Sequence, residues 1–445
     1  MKRWIAWVLC LSLFVSLAVG CGETAEDSTE PSTEEASTEP AVAKDHYLKL
    51  ALYAQDDLYD KFWDEENNHL IPTSQGYADP MVSQGMIWEH SMAIFDMYTL
   101  WFALEEDSVD KKELYDKFAG EWAFLKESFT YEQMTGNFGS APNIAIDDTG
   151  WGAMTYMIMY NVLGEEECLT LTRDCVRNAY DFFKDGEVGN GLWYHATLGE
   201  NDKQSFKSMS YVGLMYAALE YTLATGDESL LADTLALYDW TEENMLRSGT
   251  KTYENALAGG QSLTVDVADN LYWMDYNVGR SGRGVVNGPD GGNAPMTIDE
   301  GGSVSCLFAN MAMGAIHALL YEITGEQQYL DNAIRTLRAL NDCALYSFKG
   351  AYINDRDAWA NAMFVGPWVR RVLTLPGVTE ADYNRIFTTA DHITQRARTE
   401  DGYYQGGWSG SKVWNEHNVP QQIMTTATTV NMVTAAALLE QLLES

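Results

Sequence analysis

Apolar residues recur at the three- and four-residue spacing of an amphipathic helix along most of the chain after residue 45, whereas strand-type alternation is nearly absent. The pattern predicts about twelve helices of roughly 15–20 residues, joined by polar turns and a few long loops. The predicted helices span residues 46–63, 85–104, 111–127, 147–163, 167–184, 206–224, 228–246, 303–323, 327–345, 359–372, 380–399 and 421–443.

An internal repeat supports this helical plan. The stretch that begins at Tyr221 resembles the stretch that begins at Tyr321 once the Thr-Gly dipeptides ending at Gly226 and Gly325 are aligned, and Gly164 begins a weaker third copy. Each glycine is expected just after a helix, in the left-handed conformation that a helix C-terminus favours. Repeated helical hairpins build either an open solenoid or a closed toroid, and the long loops favour a closed toroid with a functional face.

The amino-terminal 45 residues differ from the rest of the chain. Lys2 and Arg3 precede an apolar run at 4–19 that ends in Gly20-Cys21, which resembles a bacterial lipoprotein signal with Cys21 as the lipidated residue. Ordinary secretory cleavage is the alternative. The predicted organisation is a signal peptide at 1–20, a disordered acidic tether at 21–45 and one helical domain at 46–445, anchored on the outer face of the cytoplasmic membrane.

Charge and composition narrow the range of partners. The formal net charge of −37 excludes nucleic acid and an anionic membrane surface as electrostatic partners, because phosphates would be repelled. A neutral or basic substrate fits better. The chain carries 14 Trp and 25 Tyr, which suits both a large helical core and a carbohydrate cleft.

The candidate chemistry lies at the start of the predicted helix 147–163, where Asp147 and Asp148 are adjacent and Trp151 follows one turn later. Cleavage of a glycosidic bond needs one protonated and one ionised carboxyl group, and two neighbouring carboxylates push their proton affinities apart. The alternative is helix capping, for which Asp is a favoured residue. Both interpretations of the pair remain open from the residue pattern alone.

Aromatic and acidic residues on the predicted loops complete the candidate site. Loops at 128–146, 185–201, 255–302 and 401–420 carry most of them. The predicted sugar-binding residues are Trp151, Trp193, Trp273, Asp299, Glu300 and Trp408.

Neither a metal nor a cofactor is expected. The seven histidines show no metal-ligand spacing, and the Gly-rich stretch at 279–292 lacks the flanking strand and helix of a phosphate cradle.

With these residues in view, the chain resembles glycoside hydrolase family 76, the endo-α-1,6-mannanases, over about residues 88–443. The Asp147-Asp148 pair with Trp151 matches the Asp-Asp-x-x-Trp signature of that family. Further matches are Tyr238-Asp239-Trp240, the two Thr-Gly turns and Phe348-Lys349-Gly350. Two positions depart from the family pattern: Gly152 replaces a second Trp, and residues 307–310 replace a Tyr-Asn-Gln-Gly motif.

The resemblance implies an all-α fold, the (α/α)6 barrel, and a retaining mechanism without metal or cofactor. It makes Asp147 the nucleophile, Asp148 the general acid/base, and α-mannan or a related mannose-containing polysaccharide the substrate. We expect the protein to be a monomer. Three alternatives stay open. The first is a transglycosylase like those of the fungal relatives, and the second is an unsaturated-uronide hydrolase on a similar toroid. The third is a glycan-binding surface lipoprotein without turnover.

Overall fold

Long helices account for most of the structure, which is a computed structural model. It describes residues 45–444 except for 75–86, 137–144, 195–205, 258–260, 267–268, 278–306, 344–346, 353–361 and 409–418. The predicted signal peptide, with Cys21 and residues 21–44 of the predicted tether, lies outside the described residues, and so do Asp299 and Glu300.

The helices lie close to their predicted positions. Two predicted helices begin six residues late. The one predicted at 206–224 begins at Val212, after a strand and a 3-10 turn at Met209–Tyr211, and the one predicted at 359–372 begins at Val365. In chain order the helices are α1 (His46–Phe62), α2 (Ile87–Ala103), α3 (Val109–Ser128), α4 (Tyr131–Met134), α5 (Ile146–Leu163), α6 (Glu166–Phe183), α7 (Val212–Thr225), α8 (Leu231–Asn244), α9 (Leu307–Thr324), α10 (Gln327–Asp342), α11 (Val365–Pro367, continued by a π-helix at Trp368–Val372), α12 (Glu380–Arg396) and α13 (Ile423–Glu444).

Six of these helices form a closed inner ring. α2 packs on α5, α5 on α7, α7 on α9, α9 on the α11 segment, and α11 on α13, which returns to α2. The outer helices α1, α3, α6, α8, α10 and α12 each pack against this ring. The fold is therefore an (α/α)6 toroid, as the family resemblance implied.

Inner and outer helices differ in how much of their surface is buried. α13 is buried continuously from Ile423 to Leu439, because an inner helix meets neighbours on all sides. α10 buries only one stripe of residues and exposes charged residues on the other side. Among the described helices, α9 alone is long and apolar enough to cross a membrane, but 78% of that stretch is buried inside the protein, as its place in the ring requires.

Short antiparallel strand pairs occupy several connections between helices, so the loops predicted at 185–201 and 255–302 contain strands that the sequence analysis missed. In the longest pair Thr250 faces Asp266, and in another Phe206 faces Asn277. The pairs are β1 (Trp63–Asp64) with β2 (His69–Leu70), β3 (Lys184–Asp185) with β4 (Glu187–Leu192), β5 (Phe206–Ser208) with β8 (Asp275–Asn277), β6 (Thr250–Leu257) with β7 (Gln261–Asp266), and β9 (Ser347–Phe348) with β10 (Ala351–Tyr352).

The repeated Thr-Gly turns have the predicted conformation. Gly226 and Gly325 follow α7 and α9 with φ of 69° and 71°, and Gly164 follows α5 with φ of 74°. The two better copies also share a hydrogen bond, because Asp227 and Glu326 each donate their backbone N–H to the preceding threonine hydroxyl, at 3.0 and 3.2 Å. The repeat predicted from the sequence is therefore a repeated structure.

A buried network around His317 fixes the segment before β8 to the helices. Tyr238 Oη lies 3.1 Å from His317 Nδ1, and Tyr272 Oη lies 2.9 Å from His317 Nε2. Tyr272 donates its proton to Glu242, so its oxygen accepts from Nε2–H, and Nδ1 accepts from Tyr238. Burial, assisted by the charge of Arg335, lowers the pKa of His317 well below its ordinary value.

The contact between α5 and α7 is unusually close at two glycines. A Cβ at Gly150 would lie 3.1 Å from the backbone nitrogen of Leu214, and a Cβ at Gly213 would lie 2.8 Å from the Trp151 ring. Both positions therefore need glycine for the two helices to approach. The contact fixes the first turns of α5, which carry the candidate catalytic residues.

Candidate active site

The aspartate pair occupies the first turn of α5. The helix begins at Ile146, one residue before the predicted start, and Ala145 takes the N-cap position without a side-chain cap. Asp147 and Asp148 are therefore the second and third helical residues, and neither is the N-cap. Local capping still contributes, because Asp147 Oδ1 accepts the Asp148 N–H at 3.1 Å and the Asp148 carboxylate accepts the N–H of Ala145.

Both carboxyl groups are removed from bulk water, Asp147 with 8% of its surface exposed and Asp148 half-buried. Burial raises the pKa of Asp147 to about 6, although hydrogen bonds to its carboxylate oppose the shift. Burial and the charge of Asp147 raise the pKa of Asp148 well above its ordinary range. Because the two carboxyl groups are adjacent, they titrate as a pair, and the charge of one disfavours ionisation of the other.

Tyr194 binds the first aspartate of the pair. Its hydroxyl donates to Asp147 Oδ2 at 3.2 Å, across 47 residues of sequence. Its backbone carbonyl accepts the N–H of Ile146 at 3.0 Å, so the segment after β4 lies against the start of α5. The sequence placed Tyr194 on a loop beside Trp193 without assigning it a role, because its partner is distant in the chain.

Glu89 is a third acid at this end of the toroid, and the sequence analysis also missed it. It lies in the first turn of α2, with 2% of its surface exposed, and its charge adds to the rise in the pKa of Asp148. The next residue, His90, is buried in an ion pair with Glu121 at 2.7 Å. An available signal was that Glu89, like the aspartate pair, is an acid near the start of a predicted apolar helix.

Trp151 lies one turn after the pair, with 1% of its surface exposed. Its ring makes edge contacts with Phe95, Phe308 and Phe364, whose ring centroids lie 6.0–6.4 Å away. These three residues come from α2, α9 and the turn before α11, so the indole packs against elements from three other sectors of the ring. Trp151 is therefore part of the core of the toroid, one turn along α5 from the carboxylates.

This burial corrects the role predicted for three tryptophans. A sugar ring stacks on an aromatic face that solvent can reach, but Trp151, Trp273 and Trp408 are each exposed by 1% or less. The Arg247 guanidinium covers Trp273 at 4.6 Å, and Trp408 donates its indole N–H to Thr429 at 3.1 Å. These residues belong to the core in this structure, not to a sugar-binding surface.

Trp193 is half-buried and directly precedes Tyr194, so its sugar-binding role stays a prediction. Its backbone N–H donates to Phe183 at 2.9 Å, which attaches this segment to the end of α6. Asp299 and Glu300, which the sequence analysis also assigned to sugar binding, lie outside the described residues.

Comparison with known proteins gives structural likeness alone. No protein-family model matches the sequence, and no curated protein matches it. A family 76 glycoside hydrolase from a bovine Bacteroides thetaiotaomicron strain has a TM-score of 0.65 and 13% identity, covering 90% of this chain and 78% of that one. An alpha-1,6-mannanase from Salegentibacter sp. HEL1_6 has a TM-score of 0.62 and 15% identity, covering 88% of this chain and 99% of that one.

An inactive variant of the same Salegentibacter mannanase, with two adjacent aspartates replaced by alanine, was solved in complex with alpha-1,6-mannotetrose. It has a TM-score of 0.63 and 14% identity, covering 88% of this chain and 99% of that one. At such identities the likeness establishes the toroid fold.

Proposed function

We propose that this protein is a glycoside hydrolase of the family 76 type, which cleaves α-1,6-mannosidic linkages in mannan with retention of anomeric configuration. The observation that carries the proposal is the pair of adjacent carboxyl groups at the start of an inner helix, with Asp147 buried and Asp148 half-buried. The likeness of the toroid to solved alpha-1,6-mannanases supports the same substrate class.

The surroundings of the pair support a division of roles. Asp147 accepts hydrogen bonds from Tyr194 and from the Asp148 N–H, and both stabilise its ionised form, as a nucleophile needs. Burial and the neighbouring charges of Asp147 and Glu89 favour the protonated form of Asp148, as a general acid needs. Asp147 is therefore the proposed nucleophile and Asp148 the proposed general acid/base.

In the first step of this mechanism, an Asp147 oxygen attacks the anomeric carbon while Asp148 gives its proton to the glycosidic oxygen. The carbon–oxygen bond to the leaving sugar breaks, and a mannosyl ester of Asp147 forms. In the second step Asp148, now ionised, removes a proton from water. The water oxygen bonds to the anomeric carbon as the Asp147 carboxylate departs, which restores both groups and retains the configuration.

Product analysis tests the proposal. The purified protein is incubated with linear α-1,6-mannan, and the products are resolved by size and by anomeric form before mutarotation. Shorter mannose oligosaccharides released as the α-anomer are expected. Products of the β-anomer would overturn the retaining assignment, and no depolymerisation of any α-1,6-mannoside would overturn the substrate class.

Variants of the pair separate the two roles. Asp147→Asn is expected to abolish turnover on every substrate, whereas Asp148→Asn should retain the first step on an activated aryl mannoside, which needs little acid assistance. Azide should restore turnover of Asp148→Asn and yield the α-mannosyl azide, because the small anion attacks without a general base. Asp116→Asn, on the exposed side of α3, is the matched control and should keep full activity.

The alternatives predict other products. A transglycosylase would convert mannan into longer chains when an oligosaccharide acceptor is added, and a uronide hydrolase would cleave unsaturated uronides and leave mannan intact. A glycan-binding protein without turnover would bind mannan and release nothing. None of these has a specific observation in its favour among the residues described around the pair.

We also propose that the protein is held at the outer face of the cytoplasmic membrane by a lipid on Cys21. This proposal rests on the signal-like run that ends in Gly20-Cys21 and the acidic stretch that follows. Cys21→Ser is expected to move the protein from the membrane fraction to the soluble fraction. The proposal would be contradicted if mass spectrometry found an amino terminus that carries no lipid and is cleaved at a position other than before Cys21.

A further inference from the structure

The two oxygens of the Asp147 carboxylate have different kinds of partner. Oδ1 accepts the backbone N–H of Asp148 at 3.1 Å, within its own helix turn. Oδ2 accepts the hydroxyl of Tyr194 at 3.2 Å, from a separate part of the chain. The orientation of the carboxylate thus depends on one contact within the helix and one contact from outside it.

Backbone contacts hold Tyr194 in place for this role. Its carbonyl accepts the Ile146 N–H at 3.0 Å, and the preceding Trp193 N–H donates to Phe183 at the end of α6, at 2.9 Å. The first contact attaches the residue to the turn that carries Asp147. Because both contacts use backbone atoms, removing only the hydroxyl of Tyr194 leaves the position of the segment unchanged.

We propose that Tyr194 is the positioning residue for the nucleophile: its hydroxyl orients the Asp147 carboxylate toward the anomeric carbon and stabilises the ionised form of that carboxylate. This inference rests on the proposed function, since it presumes that Asp147 attacks the sugar. It adds a residue to the reaction that the aspartate pair alone does not include.

The hydrogen bond acts in both steps of the reaction. A hydroxyl donor binds an ionised carboxylate more strongly than a neutral ester, so it stabilises Asp147 before attack and again as the carboxylate leaves the mannosyl ester. Tyr194 therefore accelerates breakdown of the intermediate. It has little effect on substrate binding, because its hydroxyl contacts the enzyme carboxylate.

The charged groups around the pair make this contact measurable. Asp148 from the same helix and Glu89 from α2 place negative charge beside the site, and burial further disfavours ionisation. The Tyr194 hydroxyl and the Asp148 N–H oppose these effects on Asp147. Loss of the hydroxyl is therefore expected to raise the pKa of Asp147.

Tyr194→Phe tests the inference, because it removes one oxygen and keeps the ring and the backbone carbonyl. The acid limb of kcat/KM on an aryl α-1,6-mannobioside is expected to move up by about one pH unit. The kcat should fall about 10–100-fold, and KM should fall with it, because the mannosyl ester accumulates when its breakdown is slowed. The matched control is Tyr180→Phe, whose hydroxyl lies 3.0 Å from the Thr234 hydroxyl in the core. It should lose stability and keep both kcat and the pH profile.

A direct titration separates failure of this inference from failure of the proposed function. The carboxyl carbons of full-length protein labelled at aspartate are followed by NMR, and the Asp147 signal is assigned by its loss in Asp147→Asn. A higher Asp147 pKa in Tyr194→Phe supports the contact, whatever the substrate. An unchanged Asp147 titration, or a wild-type kcat and pH profile in Tyr194→Phe, overturns it. A wild-type protein that cleaves no α-1,6-mannoside overturns the proposed function.

Discussion

Replacing Gly213 with alanine is expected to lower both stability and activity, because the new methyl group meets the indole beneath the aspartate pair. The Cβ would lie 2.8 Å and 3.0 Å from two ring carbons of Trp151, and 3.1 Å from the carbonyl carbon of Gly150. Carbon atoms pack best at about 3.5–4.0 Å, so the ring and α5 have to move by about 0.7 Å. Neither neighbour is the flexible end of a side chain.

The size of the effect follows from two opposing contributions. Overpacking a filled core costs about 1–3 kcal/mol, whereas alanine in place of glycine in a helix stabilises by about 0.5–1 kcal/mol. The expected net loss is about 1–2 kcal/mol of unfolding free energy. Because Trp151 lies one turn after Asp147, a comparable shift of the carboxylates should reduce kcat about 10–100-fold.

Gly152→Ala provides the matched control in α5. Its Cβ would meet Tyr156 Oη at 3.6 Å and Ile87 Cγ2 at 3.9 Å, which are ordinary contact distances. The same substitution there should leave stability unchanged or raise it by up to about 1 kcal/mol. The pair of variants thus differs mainly in whether the methyl group has space.

Denaturant and thermal unfolding, followed by far-UV circular dichroism, measure the stability of both variants, and steady-state kinetics measures kcat. Gly152→Ala is expected to be at least as stable as wild type, and Gly213→Ala is expected to be less stable than wild type. If Gly213→Ala were as stable as Gly152→Ala, the close contact between α7 and Trp151 would be refuted. A stable Gly213→Ala variant with normal kcat would also refute the idea that the positions of Asp147 and Asp148 depend on this packing.

The remaining predictions concern titration. The kcat/KM for mannan should rise as the pH increases through about 6, where Asp147 ionises, and fall at higher pH as Asp148 loses its proton; a profile flat from pH 5 to 7 would contradict these roles. Both pKa values are raised in the folded protein, so ionising the pair destabilises the fold as the pH rises above the ordinary aspartate value of 3.8. Asp147→Asn and Asp148→Asn should therefore each raise the unfolding free energy at pH 8 by about 1–3 kcal/mol, with the gain vanishing below about pH 4, as calorimetry at both pH values can check. The sign is opposite for His317, whose pKa is lowered: the network with Tyr238 and Tyr272 stabilises the fold above the ordinary histidine value of 6.5 and weakens as the pH falls below it. His317→Gln should cost about 1–3 kcal/mol at pH 8 and remove that part of the pH dependence, and an unchanged slope of stability against pH would count against the network.

Local sequence information was sufficient for most of the long helices, although two of them begin six residues after their predicted starts. Apolar spacing predicted the helices of the toroid, because each long helix must bury a face and that requirement repeats every three to four residues. The glycines after α5, α7 and α9 predicted left-handed helix ends for a reason that operates within a single turn. The start of α5, and with it the Asp147-Asp148 pair, was predicted to within one residue for the same reason.

Only the tertiary structure decided which tryptophans are buried and which groups meet the pair. Trp151, Trp273 and Trp408 looked like sugar-binding residues because sequence cannot tell a buried ring from an exposed one, and distant helices cover them. Tyr194 meets Asp147 across 47 residues, and the charge of Glu89 reaches Asp148 from another helix. Such contacts depend on how the helices of the ring pack together, which a local sequence pattern does not determine. Burial within this packed ring raises the pKa of both aspartates.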